Sequence, residues 1–96
     1  WVNISAWGGA SASTMADNYN VDSVADNGAG DTTLTWGTDF ASANTYVWAG
    51  GASDGRFVGQ ASNTAQAVGS CQFIVVIHEG TRTDSLPTLI VAFGDQ

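Results

Sequence analysis

The sequence predicts an all-β chain, a small antiparallel β-sandwich of about six to eight strands, with a jelly-roll-like strand order as one variant. Three observations carry this expectation. Apolar residues almost never recur at helical spacing, whereas short runs alternate with period two. Gly, Asn, Asp, Ser and Thr interrupt the chain every eight to ten residues or so, the spacing of short antiparallel strands joined by turns. The hydrophobic content of 44 %, with tryptophan at 1, 7, 36 and 48 and phenylalanine at 40, 57, 73 and 93, is enough to pack a core and excludes a disordered tail.

Strands are expected in order at Val2 to Trp7, Asn18 to Ala25, Thr32 to Gly37, Thr45 to Ala49, Arg56 to Gln60, Cys71 to Glu79 and Thr88 to Phe93. The second and third form a hairpin around the centre Asp26-Asn27-Gly28-Ala29-Gly30-Asp31. Asn27-Gly28 and Gly30 supply positive-φ positions there, and Asp26 and Asp31 can accept from nearby backbone N–H groups. On the first arm Tyr19, Val21, Ser23 and Ala25 share a face; on the second, Thr32, Leu34 and Trp36 do. Trp7-GGASAS, Ala41 to Asn44, GGASDG and ASNTAQAVGS are connections rich in small residues. Ala61 to Val68 has room for one helical turn but lacks the large apolar residues that would anchor it.

The last two strands are apolar on both faces. Phe73, Val75 and Ile77 oppose Ile74 and Val76; Leu89, Val91 and Phe93 oppose Ile90 and Ala92. A half-solvated antiparallel strand shows one polar face, so two-sided strands predict cover on both sides. Two such strands in succession exceed what one small domain covers, which predicts a homo-oligomer. Its expected interface residues are Phe73, Val75, Ile77, Leu89, Val91 and Phe93.

Ninety-six residues make a single domain, 1–96, that buries roughly 60–65 % of its unfolded surface. The start at Trp1, without an initiator Met and running straight into a strand, suggests a part or processed form of a longer chain. Two arginines, Arg56 and Arg82, stand against nine acidic residues, for a net charge of −7. Nucleic acid is excluded as a partner, because phosphate binding requires cationic side chains, and anionic membrane surfaces are disfavoured for the same reason. The longest apolar stretch, Phe73 to Ile77, is far short of a membrane helix. Cys71 is the only cysteine, so no intrachain disulfide forms, and it reads as a small buried hydrophobe.

No pattern calls for catalysis, a cofactor or a metal. His78 and Glu79 are the nearest approach to an acid–base pair, but neighbouring strand residues point to opposite faces. The acidic hairpin centre lacks the alternating oxygen spacing and closing Glu of a calcium loop, so it reads as a turn. Trp36, Tyr46 and Trp48 are candidates for an aromatic platform against a sugar ring, with Tyr46 and Trp48 on one face of their strand and Val47 on the other. The loop Gly50 to Arg56 is a second candidate contact region, through Asp54 and Arg56. These residues support an alternative reading as a carbohydrate-binding, lectin-like module.

The segment Asn18 to Gly50 resembles a recurrent module near the C-termini of tail-fibre and other virion proteins of tailed bacteriophages. In that module a strand of the type NVSSITDNGTGDYTVNFTT precedes a phrase of the type AMPDANYAV. The matching residues are Asn20-Val21, Ser23-Val24, Asp26-Asn27-Gly28, Gly30-Asp31, Thr33, Leu34, Phe40, Ala43-Asn44 and Tyr46-Val47. Trp1-Val2-Asn3 is similar to the WVNF that precedes this hairpin, and Leu89 to Phe93 to the closing VAVF strand. The chain departs from the module at Trp7-Gly8-Gly9 and the Ala/Ser run, and Gly50 to Ser70 has no alignable counterpart. The resemblance implies a non-enzymatic structural protein located in the virion, a tail-fibre or spike domain or a capsid decoration protein. It implies a homo-oligomer, most often a homotrimer, that acts in assembly or host attachment through other virion proteins and, where the receptor is a sugar, a host surface glycan.

Overall fold

Alternation of inward and outward side chains divides the chain into two layers. The computed structural model describes residues 1–6, 14–62, 65–84 and 88–96. Its strands are β1 (Val2–Ala6), β2 (Thr14–Asn18), β3 (Val21–Gly28), β4 (Asp31–Trp36), β5 (Tyr46–Ala52), β6 (Phe57–Gln60), β7 (Ser70–Val76) and β8 (Thr88–Gly94). They form two four-stranded antiparallel sheets, β2-β1-β8-β5 and β3-β4-β7-β6, and there is no helix among the described residues. The all-β sandwich is therefore as expected, with a strand order that is not that of a jelly roll. Within each sheet β1 with β2 and β3 with β4 keep sequence neighbours together.

The core lies between the sheets. Val2, Ile4 and Ile90 come from the first sheet, Val21, Val24, Leu34, Cys71 and Phe73 from the second. Thr32 and Thr88 are buried beside them, and the Thr32 hydroxyl donates to the Ala25 carbonyl at 2.9 Å. An aromatic cluster closes one end: Phe40 stacks on Tyr46 with centroids 4.1 Å apart, and Trp36 meets both edge-on at 5.4 and 5.9 Å. Phe40 is pinned there by its N–H to Val68 C=O at 2.9 Å. Trp48 packs edge-on against Phe73 at 4.9 Å.

Four elements differ from the expectation, the simplest being β7, which ends at Val76 and not at Glu79. The strand expected at Asn18 to Ala25 is two strands, because the chain crosses between sheets at Tyr19-Asn20. Asn20 takes a left-handed φ of 57°, which an asparagine tolerates, and its amide pairs with Thr38 as a backbone group would: Thr38 N–H to Oδ1 at 2.6 Å, Nδ2 to Thr38 C=O at 3.1 Å. In β3 a register shift between Val21 and Ser23 changes the phase, so Val21 and Val24 face the core and Ser23 faces water. Gly50 to Ala52 extend β5, which reduces the expected loop to the turn Ser53–Arg56. Asp54 and Gly55 both have positive φ, 58° and 69°, and Arg56 N–H donates to Ser53 C=O at 3.2 Å. Such a pair of left-handed residues is what an Asp-Gly dipeptide favours. The expected Trp7 end of the first strand and the connection through residue 13 lie outside the described residues, as do residues 63–64 of the Ala61 to Val68 stretch. In the described part of that stretch no residue is helical, and Gln66 bridges to Cys71.

The hairpin β3–β4 closes on Ala29-Gly30, with Gly28 paired to Asp31 and positive φ at Gly28 and Gly30 but not at Asn27. Asp26 Oδ1 accepts from Gly28 N–H at 2.9 Å, as expected of a turn aspartate. Asp31 does something else. Its carboxylate is buried and accepts from side chains: Gln72 Nε2 at 2.7 Å, Asn27 Nδ2 at 3.1 Å and the Arg82 guanidinium. The segment after β7 folds over the hairpin tip, with Gly30 N–H donating to Asp84 Oδ1 at 2.7 Å, Val75 N–H to Gly30 C=O at 2.8 Å and Thr83 N–H to Val75 C=O at 2.9 Å.

Candidate functional site: the outer face of the first sheet

β8 runs between β1 and β5, so every second residue of β8 faces away from the core. Thr88 and Ile90 point inward and are buried; Leu89, Val91 and Phe93 point outward. The same parity on β5 sends Tyr46 and Trp48 inward and Val47, Ala49 and Gly51 outward, while on β1 Asn3 faces out between buried Val2 and Ile4. Antiparallel register aligns these residues in rows: Asn3, Leu89 and Gly51; Val91 and Ala49; Phe93 and Val47. Val47 is 69 % exposed, Phe93 61 % and Leu89 46 %. No charged side chain stands on this face between β1 and β5 among the described residues; Asp17, opposite Asn3 on β2, borders it. An apolar surface of this kind on a folded domain is the usual mark of a contact surface.

The face is uneven. At the Gly51 row there is a shallow hollow of about 420 Å³ lined by Asn3, Gly51, Ala52, Ser53 and Leu89. A Cβ on Gly51 would meet no heavy atom within 4 Å. Asn3 Oδ1 is buried there without a hydrogen-bond partner. A second depression, of about 240 Å³, lies at the end of the sandwich where Trp1, Tyr19, Trp36 and Phe93 converge.

The expected interface set divides between the two faces. Leu89, Val91 and Phe93 are brought together on the outer face. Phe73 and Val75 are not at an interface: both are fully buried, because β7 lies inside the second sheet and turns Cys71, Phe73 and Val75 to the core. Ile77 is half-buried beyond the end of β7, in the turn closed by its N–H to Thr81 C=O at 3.1 Å. Val47, which belongs with Leu89 and Phe93, was legible only as the residue opposite Tyr46 and Trp48.

The expected aromatic platform faces inward. Trp36 and Tyr46 are core residues, and Trp48 is half-buried with its Nε1 donating to Gln60 Oε1 at 3.1 Å. Period two says which side chains share a face but not which face is wet, and the aromatics took the dry one. Asp54 and Arg56 pair with each other at 3.0 Å across their turn. His78 and Glu79 lie in the turn after β7, exposed, with Nε2 and Oε1 3.5 Å apart. No cluster of three or more His, Cys, Asp or Glu capable of holding a metal occurs among the described residues.

Two weak acids sit in the core. The Tyr46 hydroxyl shares its proton between Ala67 C=O at 2.9 Å and Ser70 C=O at 3.1 Å. Burial pushes Tyr46 from 10.0 up to about 12. Burial likewise pushes the Cys71 thiol from 9.0 up to about 11, less a small opposing pull from Tyr46. Both groups are raised, so the folded state holds their protons more tightly than the unfolded chain. Their contribution to stability is complete below pH 9 and is lost as pH rises through the folded values of about 11 and 12. Chemical denaturation followed by tryptophan fluorescence should therefore show stability falling steeply between pH 9 and 12; a flat profile across that window contradicts the burial of these groups.

Comparison of the chain with protein-family models, with curated proteins and with solved structures finds no match to any of them.

Proposed function

We propose that this chain is a non-enzymatic structural protein of a tailed-phage virion, a tail-fibre, spike or capsid-decoration module that associates with copies of itself and with other virion proteins. The observation that carries the reading is the outer face of the first sheet between β1 and β5, which bears no charged side chain among the described residues and where Val47, Leu89, Val91 and Phe93 stand in register. The likeness of Asn18 to Gly50 to the phage module supports its place in a particle. Repetition then supplies strength, since many copies on one particle convert weak single contacts into firm attachment.

Self-association is the property to measure. Each copy carries −7, so repulsion opposes assembly at low ionic strength and screening favours it as salt is added. Sedimentation velocity should show an oligomer that strengthens from low to moderate salt. Val47→Glu with Phe93→Glu places unpaired charges on the contact face and should weaken association by about 100-fold or more, with an unchanged circular dichroism spectrum. A chain that stays monomeric at high concentration and moderate salt contradicts the proposal. Removing Thr88 to Gln96 is not a usable test, because β8 is the strand that joins β1 to β5 and carries buried Ile90.

A further inference from the structure

We propose that the outer face of the first sheet is self-complementary, and that its occupant is a second copy of the chain laid across it about a two-fold axis through the Ala49–Val91 row. This rests on the self-association reading and adds its symmetry and its contacts. Three rows cross the face, roughly 7 Å apart, as every second residue of a strand must be. The rows differ in height. Phe93 and Val47 protrude at one end, Ala49 is small at the centre, and Gly51 opens the hollow beside Leu89 at the other end.

A two-fold axis lying between the facing sheets and perpendicular to the strands reverses position along each strand while keeping strand above strand. It therefore sets the Val47–Phe93 row of one copy on the Gly51–Leu89 row of the other, Val47 over Gly51 and Phe93 over Leu89. Each contact occurs twice, as in any isologous pair. On β5 the protruding Val47 meets the hollow at Gly51, on β8 Phe93 packs on Leu89, and Ala49 and Val91 lie on the axis. No other register about such an axis matches height with hollow: moving it by one row places Val47 against Ala49 and leaves the hollow unfilled.

The chemistry of the face selects the same occupant. Between β1 and β5 it offers apolar side chains and, among the described residues, no charge, so a basic, acidic or nucleic-acid partner has nothing to pair with there, whereas another uncharged apolar face does. Two copies at −7 repel everywhere else, and this face is where they can approach with least charge between them.

Cysteine crosslinking tests the symmetry. Facing sheets stand about 10 Å apart, too far for a disulfide, so a bismaleimide of roughly 8 Å span is the probe. Cys71 is fully buried and stays out of the reaction. Ala49→Cys alone should crosslink to itself. Val47→Cys and Gly51→Cys should each fail alone, since four residues along the strand separate like positions by a further ~13 Å, and should crosslink when mixed. Gly51→Phe, which fills the hollow, should weaken association about tenfold or more with the fold intact by circular dichroism. If the protein self-associates but Val47→Cys links to itself, Ala49→Cys does not, or a trimer forms, the two-fold arrangement is overturned and the self-association reading survives. If no variant crosslinks and the parent is monomeric, both fall.

Discussion

Replacing Gly30 by alanine is expected to lower the stability of the domain by about 3–5 kcal/mol, enough to leave much of a small domain unfolded at room temperature. Two causes add. Gly30 has a φ of +60°, where an L side chain is strained by roughly 1–2 kcal/mol. A Cβ there would also lie 2.5 Å from Thr83 N, 2.5 Å from Val75 O and 2.6 Å from Thr83 O. These are backbone atoms, so relief requires moving β7 or the segment that crosses it, and with it the bonds Gly30 N–H to Asp84 and Val75 N–H to Gly30. At roughly 4–8 °C per kcal/mol for a domain of this size, the melting temperature should drop on the order of 15 °C or more. Gly51→Ala is the matched control: it meets nothing within 4 Å and has no positive φ, so thermal melting should shift little. Equal melting temperatures for the two variants would show that the hairpin tip is not seated against residues 75–83.

This glycine marks where sequence reading stops. That Asp26 to Asp31 makes a turn was legible, because Gly at 28 and 30 permits positive φ and Asp26 can accept from the backbone. That the turn is held from outside was not. The partners of Gly30 and Asp31 are 54 and 51 residues away, at Asp84 and Arg82, and no local pattern signals them. Asp31, which looks like a solvated turn residue, is instead the acceptor for three side chains.

The strands divide in the same way. Thr32, Leu34 and Trp36 share a face and are all buried, as alternation requires. β2 leaves little trace in the sequence because TMADN has one large apolar residue, Met15, and lies at a sheet edge where little patterning is demanded. The break at Asn20 was hidden since an asparagine in left-handed conformation leaves no mark beyond its identity. The last two strands are apolar on both faces, but which half faces outward depends on the layer that each strand joins. β7 turns Phe73 and Val75 into the core, while β8 turns Leu89 and Phe93 out.

That difference makes the second large effect. Phe73→Ala should destabilise the fold by about 3–5 kcal/mol, while Phe93→Ala should leave the monomer within about 0.5 kcal/mol of the parent and act on association instead. Phe73 has no exposed surface and carries the edge of Trp48 at 4.9 Å, so truncation removes its transfer energy and opens a cavity between two sheets that cannot collapse onto it. Phe93 is already in water, and its loss creates no cavity. Urea denaturation of dilute protein isolates the monomer: the Phe73 variant should lose most of its midpoint and the Phe93 variant almost none. Sedimentation at high concentration should then reverse the order of interest, with Phe93→Ala shifting the oligomer toward monomer at unchanged fold. A Phe73 variant as stable as the parent would mean that β7 does not face the first sheet. A Phe93 variant that unfolds would mean that the outer face is part of the core. The two phenylalanines thus separate what holds the domain together from what the proposed self-association draws on.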